Sequence, residues 1–567
     1  MSNSARPLDT RKVAPEALAA LSAVHPVLAR LYASRGVRSA DDLDYSLRNL
    51  APVSSLDGID TAVDLLLSHR DRHIIVIGDF DADGATSTAL VLRCLRDFGF
   101  ASVDYLVPNR FAFGYGLTPE IVAVAAERSP ALLLTVDNGV SSINGVARAN
   151  ELGIKVLVTD HHLPGSVLPA AAAMVNPNLA GCDFSSPHLA GVGVAFYLMA
   201  ALGRRLQDQG TADAARIPAR YLDLVALGTV ADVVRLDRNN RILVRQGLER
   251  IRAGNGVPGI GALLAVAGRD IARVSSTDLG FAAGPRLNAA GRLEDMAVGI
   301  ECLLTDDAAE AQRIAQLLDE INRERREIES DMRDQAFEFV DAMDARNLPP
   351  CVCVYDARWH QGVVGLVAAR VRERCHRPVV AFARESDGML KGSARSIPGV
   401  HIRDLLEAVS SANPGMIGKF GGHAMAAGLS LAEAQLDAFR KAAARQLSRL
   451  YPDADFRGTL LTDGALGQES LTLDFARALR DAGPWGAGFP EPLFHGPFNV
   501  QEQRTVGERH LKMRVTPAAG GPVLDAIAFN QAETVMRGTV QLAYRLDVNV
   551  FRGVESPQLV VEQIVVA

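Results

Sequence analysis

Several features that define other classes of protein are scarce or missing in this chain. Only six cysteines occur among 567 residues, and none stand in CxxC spacing, which argues against a zinc knuckle and for a reduced, cytoplasmic protein. No uninterrupted run of 18 apolar residues occurs, and the polar start MSNSARPLDTRKV lacks the apolar core of a signal peptide, so no membrane segment is expected. The net charge of −7 means that any polyanion must bind in a local basic groove.

The length of the chain exceeds what one hydrophobic core supports, so several domains are expected. Strand and helix patterns alternate over residues 71–235, which indicates a parallel sheet covered by helices. The charge-rich stretch Asp306–Arg346 contains neither Gly nor Pro and predicts one long helix or two. The strands predicted in the first region are His73–Ile77, Ser102–Val107, Ala131–Val136 and Lys155–Thr159.

Two further regions follow the predicted long helix. Residues 350–450 alternate again and predict a second α/β unit. Residues 454–567 carry short alternating strands between Gly/Pro turns, a pattern typical of a small β-barrel. The strands predicted there are Leu511–Thr516, Val523–Phe529, Gln541–Val550 and Gln558–Val566. The predicted domains are a helical lead-in (1–70), a catalytic α/β domain (71–300), the connecting helix (301–348), a second α/β domain (349–450) and a nucleic-acid-binding barrel (451–567).

The stretch Ile74–Ser87, IIVIGDFDADGATS, carries three carboxylates directly after an apolar strand. Asp79, Asp81 and Asp83 stand at alternate positions, and alternate residues of an extended chain point to one side. Three like charges held so close are costly unless a cation lies among them. Hard divalent cations such as Mg²⁺ or Mn²⁺ suit carboxylate oxygens, and open α/β sheets place their sites at the carboxyl ends of strands. A solvated acidic turn is the alternative interpretation of this stretch alone.

Three other apolar segments end in acidic or histidine side chains in the same way. A lone Asp after a strand is usually a cap or turn residue. Capping and turn formation do not readily explain four such endings in one domain. Because the ends of parallel strands meet at one sheet edge, the set predicts a two-metal site for Mn²⁺ or Mg²⁺. The three segments are LLLTVDN, KVLVTDHH and Tyr221–Val233, which supply Asp137, Asp160, His161, His162 and Asp232.

The motifs GDFDADGATSTA, TVDNG, TDHH and LGTVADVV resemble, in order, the four motifs of the DHH phosphoesterase superfamily. Within it the chain is similar, over nearly its whole length, to bacterial single-strand-specific exonucleases. The segments VPNRF, GPRLNAAGRLED, WHQGVVG, KGSARS, GKFGGHAMAAG and WGAGFPEPLF fit the same family. The resemblance implies an α/β fold: a parallel-sheet DHH domain, joined by a long helix to a second α/β (DHHA1) domain, with a C-terminal OB-fold β-barrel.

The resemblance also implies roles for individual side chains. Two divalent ions, Mn²⁺ or Mg²⁺, would be held by five residues, with Asp137 bridging them. Three close partners would orient ligands, water or the scissile phosphate, and His162 could donate to a phosphate or leaving oxygen. The implied metal ligands are Asp81, Asp83, Asp137, His161 and Asp232. The implied catalytic partners are Asp79, Asp160 and His162.

Nucleic-acid contacts are expected in three places, since arginine suits bidentate phosphate contacts and glycine-rich segments let a backbone approach phosphate closely. Each group has an alternative interpretation. The arginines could serve only surface solubility, the glycines could serve only tight packing, and the barrel residues could form only a solvated strand edge. The expected contacts near the metals are Arg110, Arg286, Asn288 and Arg292. Those in the second α/β domain are His360, Lys391, Arg395 and His423. Those on the barrel are Arg504, Arg509, His510, Lys512 and Arg514, with Phe529 nearby.

The resemblance implies a metal-dependent 5′–3′ exonuclease that hydrolyses single-stranded DNA to mononucleotides in repair and recombination. Its polarity comes only from the resemblance, and the residues do not distinguish Mn²⁺ from Mg²⁺. A phosphodiesterase for short oligonucleotides or cyclic dinucleotides is one alternative, and a non-catalytic single-strand-binding scaffold is another. Single-stranded DNA is the expected partner, with single-strand-binding protein and a helicase as candidates. A cytoplasmic monomer is expected, because one chain holds both predicted α/β domains.

Overall fold

The computed structural model describes residues 6–108, 116–343, 348–385, 388–532, 536 and 538–566. The chain forms two compact units. The larger unit contains residues 10–321 and 461–567, and the smaller unit contains residues 1–9 and 322–460. Within the described part of the chain, every helix is too short or too polar to cross a membrane.

A parallel sheet forms the centre of the larger unit. Its strands are rich in β-branched and leucine residues, and three of them are buried on both faces, as expected for a sheet covered by helices. The order is β2-β1-β3-β4-β5, and all neighbours run parallel. The first four strands confirm the prediction, whereas β5 is a three-residue edge strand that the sequence pattern did not indicate. The strands are β1 (His73–Ile77), β2 (Ser102–Leu106), β3 (Leu132–Val136), β4 (Lys155–Thr159) and β5 (Ala173–Val175).

Helices cover this sheet and supply residues to its carboxyl edge. A π-helical turn, Leu279–Ala283, directly precedes the helix Gly284–Leu293. The helices used below are α1 (Ala82–Asp97), α2 (Gly191–Asp208), α3 (Leu222–Ala231) and α4 (Gly284–Leu293). The other helices of this part are Pro15–Ala20, Pro26–Ala33, Ile59–Ser68, Pro119–Ala126, Ile143–Glu151, Arg238–Arg252, Pro258–Val266 and Ala297–Leu304.

One element corrects the sequence prediction. The sequence analysis groups the apolar segment Tyr221–Val233 with the strands whose carboxyl ends form the site. In the structure this segment folds as the helix α3, and Asp232 is its C-cap residue. All eight residues from Leu222 to Thr229 are buried, the polar Asp223 and Thr229 among them, so α3 has almost no solvent-exposed face. A short apolar run of this kind cannot be assigned to strand or helix from periodicity.

A buried ion pair joins the N-terminal helices to the chain that leads into the barrel. The guanidinium of Arg35 donates two hydrogen bonds, each 2.8 Å long, to the two carboxylate oxygens of Asp463. Both side chains are 1 % exposed. The hydroxyl of Tyr32 also donates to the carbonyl of Ala482 across 2.9 Å. Distant parts of the sequence therefore complete one core in the larger unit.

A single helix of 34 residues, Ala308–Asp341, confirms the predicted long helix, and the boundary between the units falls within it. The smaller unit continues with a mixed sheet of order β9-β10-β8-β7-β6, in which only β6 and β7 run parallel. Its strands are β6 (Val352–Tyr355), β7 (Val379–Arg384), β8 (Met389–Arg395), β9 (Ile417–Gly422) and β10 (Ala426–Ala432). Its helices include Val364–Cys375, Ile402–Ala412 and Leu436–Leu450.

The C-terminal part of the larger unit is a closed barrel of order β11-β12-β13-β15-β14. Buried residues alternate along β12 and β13, as they do where one strand face lines a barrel core. The strand β11 was not predicted, because Gly496 and Pro497 interrupt its pattern. The strands are β11 (Phe494–Val506), β12 (His510–Pro517), β13 (Leu524–Ala528), β14 (Thr539–Phe551) and β15 (Val554–Val566).

Candidate metal centre

The three carboxylates after β1 lie in three different local environments. Asp79 is 4 % exposed, and its Oδ1 accepts the backbone N–H of Phe80 across 2.7 Å. Asp81 is the N-cap of α1 and accepts from the N–H groups of Asp83 and Gly84, both at 3.0 Å. Asp83 already belongs to the first turn of α1. The predicted alternation along an extended chain is therefore wrong beyond Asp81, because the helix begins at Ala82.

The carboxylate of Asp83 is held by the start of a second helix. Its two oxygens accept the backbone N–H groups of Gly191 and Val192, at 2.6 and 2.9 Å. These two residues open α2, and the N–H groups of a first helical turn favour negative charge. This arrangement fixes Asp83 next to the carboxyl edge of the sheet.

Asp137 follows β3 in a strained backbone conformation. Its φ is +62°, in the left-handed region that residues other than glycine seldom adopt. The next residue, Asn138, donates its side-chain amide to the carbonyls of Ile77 and Val136, at 3.0 and 2.9 Å. The ends of β1 and β3 are thereby tied together, and Asp137 is presented at their common edge. Strain of this kind persists where the surroundings impose it, which is common at functional sites.

The DHH segment follows β4 and is organised by its first residue. Asp160 Oδ1 accepts the backbone N–H of His161 at 2.7 Å and the Nδ1 of His162 at 2.8 Å, while its Oδ2 accepts the N–H of Val140 at 2.8 Å. The two imidazole rings lie with centroids 4.5 Å apart. Asp160 therefore holds both histidines at the sheet edge.

His161 connects the strand ends to α3. Its Nε2 lies 3.1 Å from Asp137 Oδ1 and 3.5 Å from Asp232 Oδ2. Seven of the predicted site residues form three overlapping groups whose donor atoms lie within 4.8 Å of one another. Carboxylate oxygens and imidazole nitrogens together suit Mn²⁺ and Mg²⁺, so these groups could hold such ions. The groups are Asp79–Asp81–Asp137, Asp83–His161–Asp232 and Asp137–His161–His162.

Burial and mutual repulsion raise the pKa values of three of these carboxyl groups. Burial, followed by the charge of Asp81, raises the pKa of Asp83 to about 7. Burial, followed by the charges of Asp83 and Asp81, raises the pKa values of Asp137 and Asp232 well above the ordinary value. A divalent cation among them would remove this penalty.

The pKa shifts of Asp160 and His162 instead favour the charged form of each side chain. Burial alone would lower the pKa of His162, but its hydrogen bond to Asp160 and the surrounding carboxylates outweigh burial and raise that pKa to about 8. Burial opposes the charged form of Asp160 too, yet the hydrogen bond to His162 and the charges of both histidines lower its pKa. The geometry thus favours a protonated His162 beside an ionised Asp160.

The predicted contacts beside the metal centre have different surroundings. Arg110 lies outside the described residues. Arg286 is 6 % exposed, pairs with Asp319 at 2.7 Å and donates to the carbonyl of Ala282 at 2.7 Å. Asn288 Oδ1 accepts the backbone N–H of Ala82 at 2.8 Å, so this amide also holds the start of α1. Arg292 is half-buried near the end of α4.

In the smaller unit, the segments that carry the predicted contacts His360, Lys391 and His423 lie beside or on the strand of Arg395. Arg395 pairs across the sheet with Ala426, whose carbonyl accepts the backbone N–H of His423 at 2.8 Å. A Cβ atom at Gly365 would lie 2.9 Å from Arg395 Nη2, which places the WHQGVVG segment of His360 against the same arginine. Lys391 lies four residues from Arg395 on β8. The glycine-rich segment GKFGGHAMAAG forms most of the hairpin β9–β10, a structure that its glycines did not indicate.

Two glycines that sequence reasoning missed shape the centre. A Cβ atom at Gly191 would lie 2.5 Å from Asp137 Cβ, and one at Gly228 would lie 2.2 Å from Thr86 Oγ1 and 2.9 Å from Asp83 Oδ1. Both positions need the absence of a side chain because helices α2 and α3 approach the carboxylates closely. The small-residue runs GVGVAF and LGTVA are the signal that could have indicated them.

Comparison with known proteins agrees with this architecture. Residues 73–229 match the model of the DHH family, N-terminal domain, residues 349–449 match the DHHA1 domain, and residues 462–563 match the RecJ OB domain. The chain is 53 % identical over 551 residues to the single-stranded-DNA-specific exonuclease RecJ of Escherichia coli strain K12, covering 95 % of this chain and 96 % of that protein. The chain belongs to the RecJ family. The DHH, DHHA1 and OB composition expected from the sequence is thereby confirmed.

Other RecJ proteins extend the comparison to structure and metal. The RecJ of Haemophilus influenzae is 48 % identical over 552 residues, which cover 95 % of this chain and 96 % of that protein. A crystal structure of RecJ from Thermus thermophilus in complex with Mn²⁺ matches with a TM-score of 0.81 at 31 % identity, covering all of this chain and 80 % of that one. A second crystal structure, of RecJ from the same organism in complex with Mg²⁺, matches with a TM-score of 0.76 at 30 % identity and covers 99 % of this chain and 78 % of that one. Both expected metals thus occur in RecJ structures.

Proposed function

We propose that this chain is a metal-dependent exonuclease that hydrolyses single-stranded DNA from its 5′ end, releases mononucleotides and serves DNA repair and recombination. The observation that carries the proposal is the set of three overlapping carboxylate and imidazole groups with donor atoms within 4.8 Å. They lie in a chain 53 % identical to a named single-stranded-DNA-specific exonuclease. We assign two divalent ions, Mn²⁺ or Mg²⁺, to five residues. These are Asp81, Asp83, Asp137, His161 and Asp232.

The ions, when bound, supply an activated water and neutralise the charge of the phosphodiester. The protein's own part is to position the groups around them. Asp160 holds the Nδ1 proton of His162 through a 2.8 Å hydrogen bond and so fixes the orientation of the ring. His162 then serves as a hydrogen-bond or proton donor toward a phosphate or leaving oxygen. The hydrogen bond and charge of Asp160 are the main influences that favour a protonated His162, and Asp79, 4 % exposed at the same edge, adds negative charge in the same direction.

The phosphates of the strand are assigned to local basic and polar groups, because the whole chain carries a net charge of −7. The described members of one set border the metal centre in the larger unit, and the other set lies in the smaller unit around Arg395. A single chain carries both sets, which favours a monomer, and the scattered cysteines without CxxC spacing favour a reduced, cytoplasmic location. Single-strand-binding protein and a helicase, which handle such strands, are compatible partners. The two sets are Arg110, Arg286, Asn288 and Arg292, and His360, Lys391, Arg395 and His423.

The deciding experiment is hydrolysis of a single-stranded DNA oligonucleotide labelled at either end, with Mn²⁺, Mg²⁺ or EDTA. Immediate release of a labelled mononucleotide from the 5′ label, abolished by EDTA, is the expected result. A slowly shortening ladder from the 5′ label would mean attack from the 3′ end and would refute the polarity. Tight binding without cleavage in either metal would favour a non-catalytic scaffold. Cleavage confined to two- or three-residue substrates would favour a phosphodiesterase for short oligonucleotides.

A further inference from the structure

Three large apolar side chains stand exposed on segments that border the metal centre. Leu163 directly follows His162 and is 52 % exposed, and Val233 directly follows Asp232 and is 70 % exposed. Phe281, on the π-helical turn before α4, is 75 % exposed. We call Leu163, Val233 and Phe281 the apolar rim. Solvent-exposed apolar groups of this size next to a charged site indicate a surface for an apolar part of a ligand.

Contacts of their neighbours hold these segments together. The 3.5 Å approach of His161 Nε2 to Asp232 Oδ2 joins the segments that carry Leu163 and Val233. The π-helical turn packs on the end of α3, since a Cβ atom at Gly280 would lie 3.2 Å from Val230 Cγ1 and one at Gly284 would lie 3.1 Å from Ala231 Cβ. All three members of the rim therefore belong to segments anchored at or beside Asp232.

Two irregularities of the backbone coincide with the rim. Val233 has a φ of +60°, and a β-branched residue in this region is strained. Its exposed side chain gains little packing in return, so the strain serves something other than the core. Phe281 lies in the only π-helical segment among the described residues, and π-helical turns are frequent at functional sites.

We propose that the apolar rim binds the nucleobase of the nucleotide at the cleavage point, with Phe281 stacking on its face and with Val233 and Leu163 contacting its edges. The inference rests on the proposed function, which brings a phosphodiester to the neighbouring carboxylates. Every nucleobase has an apolar π face, so stacking on one aromatic ring requires no particular sequence. A base inside a duplex is stacked on both faces and its edge is paired, so contacts to a face and to the edges together favour a single strand.

The test uses the full chain and oligothymidylates in which one nucleotide at the first, second or third position from the cleaved end is replaced by an abasic tetrahydrofuran unit. The F281A variant is expected to raise KM for the intact strand by about tenfold or more, with a smaller effect on kcat. For the strand that is abasic at the contacted position, wild type and F281A are expected to have the same KM. An equal effect of F281A on all strands would overturn the proposal and make Phe281 a packing residue.

A matched control and a second variant distinguish base binding by the apolar rim from a general effect of losing an exposed apolar side chain. Phe551 is a comparable aromatic residue, 65 % exposed at the tip of the β14–β15 hairpin, and F551A is expected to leave the ratio of KM values for intact and abasic strands unchanged. The V233N variant removes the apolar side chain but suits the left-handed backbone, because asparagine adopts positive φ more readily than valine. V233N is expected to melt no lower than wild type and to lose part of the same discrimination.

A binding measurement separates failure of this inference from failure of the proposed function. An oligonucleotide with 2-aminopurine at the contacted position is titrated with protein in EDTA, where no hydrolysis occurs. Quenching of its fluorescence by wild type and weaker quenching by F281A would support the rim even if the chain hydrolysed nothing. Hydrolysis by wild type together with identical quenching by F281A would retain the exonuclease and reject the rim.

Discussion

Gly191 and Asp137 approach each other so closely that a Cβ atom at position 191 would lie 2.5 Å from the Cβ of Asp137. The G191A variant must displace Asp137, whose carboxylate contacts His161. A displacement of about 1 Å near a catalytic group costs on the order of 100-fold in rate, and we expect a loss of this size in Mn²⁺-dependent hydrolysis. G193A is the matched control, since its Cβ would meet only the flexible side chain of Leu189. Wild-type activity in G191A would contradict the role assigned to Asp137.

The metal-free protein is expected to lose stability as the pH rises from 5.5 to 8. The pKa of Asp83 is raised to about 7, so the folded state holds a proton that the unfolded state releases near pH 4. Between these values stability falls with rising pH by about 4 kcal/mol for Asp83 alone, of which about 2 kcal/mol is lost above pH 5.5. The pKa of His162 is raised to about 8, so this histidine stabilises the folded state below pH 6.5 and the stabilisation is lost as the pH rises to about 8. The contributions of His162 and Asp83 therefore both decrease stability as the pH rises.

Urea unfolding in EDTA measures this slope directly, and saturating Mn²⁺ at pH 8 is expected to restore the lost stability. The D83N variant is expected to show a shallower slope, because it lacks the carboxyl group of Asp83, whose pKa is raised to about 7. An unfolding midpoint in EDTA that is unchanged between pH 5.5 and 8 would refute the electrostatic description of the centre.

Asp160 is expected to set the protonation of His162. In D160N the hydrogen bond to His162 Nδ1 loses its charged acceptor, and burial, the largest single influence on that imidazole, then lowers its pKa to the ordinary value or below. Titration of the imidazole nitrogens by NMR in the metal-free protein measures this shift. D213N, which alters a carboxylate 65 % exposed and paired with Arg216, is the control and is expected to leave the pKa of His162 unchanged. A pKa near 8 in D160N would mean that other charges hold the proton.

Much of the centre could be predicted because β1, β3 and β4 obey simple rules. Each is a short, mostly apolar run with an aspartate one or two positions after its end, and parallel strands bring their carboxyl ends to one edge. Asp79, Asp137 and Asp160 therefore converge by topology alone. The domain composition followed from motif order, and the family comparison confirmed it. The assignment of individual metal ligands stays a prediction.

Other features could not be read from local pattern. Helix α3 is buried on nearly all sides, so its sequence does not alternate between apolar and exposed polar residues with the 3.6-residue period of a surface helix. The position of Asp83 depends on the N–H groups of Gly191 and Val192, more than 100 residues away in sequence. The hairpin β9–β10 and the strand β11 contain glycine and proline, which local propensity assigns to turns. In each case tertiary contacts decide the conformation.

The ion pair between Arg35 and Asp463 is expected to be important for stability. In D463N the guanidinium of Arg35 would remain buried with a weakened partner, and breaking a buried pair from one side typically costs about 3–5 kcal/mol. Chemical unfolding monitored by tryptophan fluorescence is suitable, since Trp485 lies 5.4 Å from the Arg35 guanidinium. D474N, which removes a carboxylate 93 % exposed beside Arg477, is the control and should cost less than about 0.5 kcal/mol. Equal costs for the two variants would contradict this role.

The same ion pair has a consequence for how the protein is made. Arg35 and Asp463 are separated by 428 positions in sequence, and the whole smaller unit except its first nine residues is synthesised between them. On the ribosome, a nascent chain folds from its N-terminus, so the N-terminal helices emerge long before the carboxylate that neutralises Arg35. The larger unit can complete its core only after the smaller unit has left the exit tunnel. Truncated chains that end before Asp463 would thus expose an unfinished core, and slow translation of the central region would lengthen that exposure.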